Sequence, residues 1–67
     1  MIPQDIKDSF NEAILVNKDI DGEIDWYGVG QDMFQDLMKT YDSDVIDEAM
    51  NMLADIYEQK LLTGKLH

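Results

Sequence analysis

The stretch NKDIDGEIDWYG, residues 17–28, places an oxygen-bearing side chain at every second position. Asn17, Asp19, Asp21, Glu23 and Asp25 are arranged around Gly22. Oxygens at this spacing are the hard donors that calcium gathers from a loop bent sharply at a glycine. The same residues also suit a turn that needs no metal. Asp21-Gly22 favours a tight bend, because glycine adopts positive φ without steric cost. Asp25 can accept from a free N–H at the start of a following helix, while Ile24 and Trp26 can pack into a core.

Taken position by position, residues 17–28 resemble the calcium loop of an EF-hand. That family takes ligands from loop positions one, three, five, seven and nine, with glycine at six and a bidentate glutamate at twelve. The resemblance implies Asn17, Asp19, Asp21, Glu23 (through its backbone carbonyl) and Asp25 as metal ligands, with calcium as the cofactor. Gly22 occupies the turn and Ile24 the hydrophobic eighth place, and helices are expected on both sides. One place departs from the family. Position twelve is Gly28, which has no carboxylate to close the coordination sphere. No second loop of this pattern occurs, although EF-hands usually pair. The metal-free turn is therefore the leading reading of the loop, and no cofactor is expected with it.

Charge points elsewhere. Fifteen acids stand against five lysines and no arginine, for a formal net charge of −10. Direct binding to nucleic acid requires cations that displace condensed counterions, so this class is excluded, and an anionic membrane surface with it. The expected partner is cationic: a metal ion, or a basic surface on another protein. Cysteine is absent, which rules out disulfides and thiolate metal sites. No apolar run approaches the 18 residues of a membrane span. MIPQDIKDSF lacks the basic-then-apolar layout of a secretion signal, so a cytoplasmic location is expected. Catalysis is not expected. The one histidine is His67, the serines are two, and neither a phosphate-cradling glycine motif nor a zinc spacing is present.

The elements that would position these groups follow from apolar spacing. Ile2, Ile6, Phe10, Ala13 and Ile14 recur at helical intervals after Pro3, which suits a first helical turn. Ala13 to Val16 fits either the end of that helix or the start of a strand. Val29, Met33, Phe34, Leu37, Met38 and Tyr41 form a second stripe, with Asp25 as its cap. Asp42-Ser43-Asp44 opens a third helix, in which Ile46, Ala49, Met50, Leu53, Ile56 and Tyr57 face inward and Gly64 marks a stop. The expectation is one domain over residues 1–67, mainly α. Three helices are joined by an acidic loop between the first and second, with a β-hairpin over residues 14–27 as the rival.

On such helices the carboxylates form faces. Asp32 and Asp36 lie one turn apart on the second helix, and Asp44, Asp47, Glu48, Asp55 and Glu58 line the third. Like charges one turn apart cost a few tenths of a kcal/mol per pair. No lysine interrupts either group. The negative field this creates steers basic partners and can mimic a phosphate path. In size and charge the chain resembles the small acidic phage-encoded inhibitors, among them DNA mimics and anti-CRISPR proteins, although no family motif carries that likeness. These seven acids, with Trp26 and Tyr27 as aromatic anchors, are the expected partner-binding residues. The expected function is a non-enzymatic interaction protein that blocks a basic surface of a partner. A degenerate EF-hand-like calcium binder is the first alternative. The second is a small subunit docked through the apolar side of residues 45–62, and a homodimer is a further way to cover that side.

Overall fold

The structure, a computed structural model, describes the backbone of residues 2–65 and the side chains of residues 2–60. It is mainly α, with three helices in succession: α1 (Gln4–Val16), α2 (Trp26–Leu37) and α3 (Ser43–Lys65). Ile6, Phe10, Ala13 and Ile14 on α1, Val29, Met33 and Leu37 on α2, and Ile46, Ala49 and Leu53 on α3 form the core. All ten recur at three- or four-residue intervals, so each helix turns one stripe inward. Ile6, Val29, Met33 and Ile46 are completely buried.

Local signals set most boundaries. Pro3 precedes α1 as its N-cap, one place outside the first helical turn where the sequence put it. Its ring needs no partner for a missing N–H, and its carbonyl accepts the amide of Lys7 at 3.2 Å. Ala13 to Val16 complete α1, which ends at Asn17. The rival hairpin over residues 14–27 is thereby corrected. Among the described residues, extended pairing is limited to one antiparallel bridge between Lys18 and Ile24. Asp25 caps α2, its side chain accepting from the Gly28 amide at 3.2 Å. α2 closes where Thr40 and Tyr41 both donate to the Leu37 carbonyl. α3 continues one residue beyond Gly64, so the expected glycine stop falls inside its last turn. His67 and the side chain of Leu61 lie outside the described residues.

One ring from each helix meets at a common joint. Phe10 stacks on Trp26 with centroids 6.2 Å apart, and Tyr57 sets its edge against both, at 6.5 Å and 6.2 Å. Offset and edge-to-face pairs of this kind add roughly 0.5–1.5 kcal/mol each beyond the area they bury. A second tie lies at the start of α1. The Tyr41 hydroxyl donates to both carboxylate oxygens of Asp5, at 2.8 and 2.9 Å. No helix among the described residues is long and apolar enough to cross a membrane.

Candidate functional site

In the acidic loop, Asp19 and Asp25 turn side-chain oxygens toward the backbone. Asp19 Oδ1 accepts from the amides of Asp21 and Glu23, each at 2.9 Å. Gly22, at φ +85°, donates to the Asp19 carbonyl and closes the bend. Asp25 is occupied at the α2 cap. The Asn17 amide donates to the Ala13 carbonyl and to Asp32 Oδ2, both at 2.8 Å, and so bridges α1 and α2. Among the described residues no group of three acids or histidines is placed to hold a metal ion. Asp19, Asp25 and Asn17 thus act as turn, cap and tether, while the side chains of Asp21 and Glu23 are exposed.

At Gly28, the twelfth place of the loop, an added side chain would meet its neighbours. A Cβ there would run into Asn17 Oδ1, with the Asn17 Cγ at 2.9 Å and Asp25 Oδ2 at 3.0 Å. The space that a twelfth-position side chain needs is filled by the tether between the first two helices.

The acids expected at a partner surface are all exposed: Asp32 and Asp36 on α2, and Asp44, Asp47, Glu48, Asp55 and Glu58 on α3. They form two groups. The α3 acids lie opposite the buried stripe of Ile46, Ala49 and Leu53, spaced one turn or less apart except across Asn51. At 1.5 Å per residue, the stretch from Asp44 to Glu58 is about 21 Å long, a mean spacing of about 5 Å between its five carboxylates. One strand of duplex DNA carries one phosphate per about 3.4 Å of axis. The α2 pair opens instead on a small cleft against α1, where Glu12 joins Asp32 and Asp36 beside Ser9 and Val16. Glu12 had no place in the expected site. Only the packing of α1 on α2 puts its carboxylate beside the other two.

The two aromatic anchors separate. Trp26 is half-buried in the ring joint, where it serves the fold. Tyr27 is 76 % exposed and accepts a hydrogen bond from Gln31 Nε2. Methionines also divide: Met33 is core, whereas Met38 and Met52 are at least half exposed. Val45, Met52 and Ile56 leave part of the apolar side of α3 open to solvent.

One ionisation departs from its ordinary range. The Tyr41 phenol is raised, first because its hydroxyl donates to Asp5, then by burial and by the charge of that carboxylate. This pair ties the chain ahead of α3 to the first turn of α1 and contributes nothing nucleophilic.

No family model, curated protein or solved structure matches the chain.

Proposed function

We propose that this chain is a non-enzymatic, acidic interaction protein that binds and obstructs a basic surface of a partner protein. A channel that holds nucleic acid is the target its charge suits best, as for a phage-type inhibitor or nucleic-acid mimic. The observation that carries this reading is the α3 stripe. Its five exposed carboxylates make no ion pair among the described residues, and they stand about 5 Å apart on average, against about 3.4 Å for the phosphates of one DNA strand. Unpaired carboxylates at this spacing lose some stability to mutual repulsion, and they gain a field that accelerates encounter with a cationic surface by roughly 10–10³-fold. The cleft of Glu12, Asp32 and Asp36 offers a second acidic feature that suits a lysine or arginine side chain.

The test is capture from the extract of the producing cell or its host, run in parallel with wild type and with Asp44→Lys/Glu48→Lys/Asp55→Lys. The expected result is a partner retained by wild type at low salt, released at high salt, displaced by duplex DNA and lost with the triple reversal. All three positions are exposed, so circular dichroism should show the helices intact in the variant. A partner that survives the reversal places the interface elsewhere.

A further inference from the structure

A cleft of about 650 Å³ lies between α1 and α3. Phe10, Ile14, Leu53 and Tyr57 form its floor, with Leu15 and Ile56 at its edges. Leu15 is 74 % exposed and Ile56 44 %. Lys7, Lys18 and Lys60 complete the rim with Asn11, and no acid lines it. Three of the chain's five lysines are therefore gathered where none of its fifteen acids is found. Lys7 is half-buried, and Lys18 and Lys60 are exposed. None of the three forms an ion pair with another described residue.

We infer that this cleft is a second binding site, opposite in sign to the α3 stripe, and that its occupant is an amphipathic helix of another protein with acids flanking its apolar stripe. Charge complementarity selects the acids, because a lysine rim around an apolar floor leaves three cations for the occupant to pair. Shape selects a helix. The cleft's edge residues Leu15 and Ile56 are exposed to solvent, so a single acyl chain would stay wet on one side, whereas a helix about 10 Å across can cover both edges and insert residues at i, i+3, i+4 and i+7. Sign also argues against a second copy. A two-fold contact places a patch against itself, and here three lysines would meet three lysines. Lys7 lies in α1, about nine residues or roughly 14 Å of helix before its end at Val16, and Lys18 sits just past the Asn17 cap, so the acids of the occupant should be spread over two to three helical turns.

The probe is a capped helical peptide with leucines at i, i+3, i+4, i+7 and i+11 and glutamates at the flanking positions, compared with a twin carrying lysines there. Peptide anisotropy and the fluorescence of Trp26, which stacks on the floor residue Phe10, report binding. Net charge alone predicts that a chain at −10 prefers the lysine twin. The proposal predicts the reverse: saturable binding of the glutamate peptide, about tenfold tighter than its twin. Lys7→Glu/Lys18→Glu/Lys60→Glu should invert that order, and Leu15→Asp should abolish binding of both, with helix content unchanged. Equal or tighter binding of the lysine twin, indifference to the triple lysine change, or no saturation by about 1 mM overturns the proposal. So does a homodimer that Leu15→Asp dissolves. The α3 reversal Asp44→Lys/Glu48→Lys/Asp55→Lys should leave binding of the glutamate peptide in place, so the two sites fail independently.

Discussion

Replacing Gly28 with glutamate supplies the carboxylate that the EF-hand pattern lacks, and the structure predicts that it destabilises the protein without creating a calcium site. The new Cβ takes the place of Asn17 Oδ1, so the Asn17 side chain must leave. It then loses its bonds to the Ala13 carbonyl and to Asp32. A neutral hydrogen bond is worth about 1 kcal/mol net, and one to a carboxylate about 1.5–3 kcal/mol. Crowding of Asp25 also weakens the α2 cap, a feature worth roughly 0.5–2 kcal/mol. Replacing glycine in a helical turn returns about 1 kcal/mol. The balance is a loss of about 2–5 kcal/mol. A domain of this length holds roughly 3–10 kcal/mol in total. The midpoint of thermal unfolding should therefore fall by about 10 °C or more. Gly28→Ala should reproduce most of the loss, because the clash begins at Cβ, and Asn17→Ala combined with Gly28→Ala should add little to Asn17→Ala alone. Thermal melts with and without calcium decide the matter. If Gly28→Glu melts no lower than wild type, or if calcium raises its midpoint, the account of Asn17 as a tether is wrong and the loop is a calcium site short of one ligand.

Other consequences concern the core, the charge and the one shifted phenol. Met33→Ala empties a completely buried position and should cost about 2–5 kcal/mol, a large share of the total, read as a lower midpoint in urea titration. Added monovalent salt should raise the unfolding midpoint, since it screens repulsion among the unpaired carboxylates; a fall would indicate that attractive pairs dominate. The Tyr41 phenol should titrate above its ordinary range by absorbance near 295 nm, and Asp5→Asn should bring it back toward that range. Because the folded state holds the proton more tightly than the unfolded chain, the contribution of this bond is complete below the ordinary tyrosine range and is lost as pH rises through the raised value. An unshifted Tyr41 in wild type would mean that the bond to Asp5 is not formed.

The helices were legible because each carries its buried stripe in the local pattern. Ile6 to Ile14, Val29 to Leu37 and Ile46 to Leu53 need no knowledge of one another to be read as inward faces. Asp25 was legible as a cap for the same reason, since its partner is three residues away. The run Ala13 to Val16 was not, because Leu15 and Val16 are exposed and interrupt the apolar logic at the end of α1. In the loop, alternating oxygens describe a ligand set and a network of turn bonds equally well. What separates the two is the Asn17 amide reaching Asp32, fifteen residues away. The two clefts were hidden for a similar reason. Glu12 meets Asp32 and Asp36, and Lys7 shares a rim with Lys60, only because of how the helices cross. One-dimensional charge counts averaged the lysines into a uniformly acidic surface, and three-dimensional packing sorts three of the five into one place.

The central claim is that the α3 carboxylates are a recognition surface, beyond their effect on hydration. The most direct measurement is the affinity of the captured partner for wild type and for Asp44→Lys/Glu48→Lys/Asp55→Lys across a salt series. A steep loss of wild-type affinity with salt, together with loss of binding in the correctly folded triple variant, is the predicted result. A partner that binds both proteins alike, with no salt dependence, would contradict it.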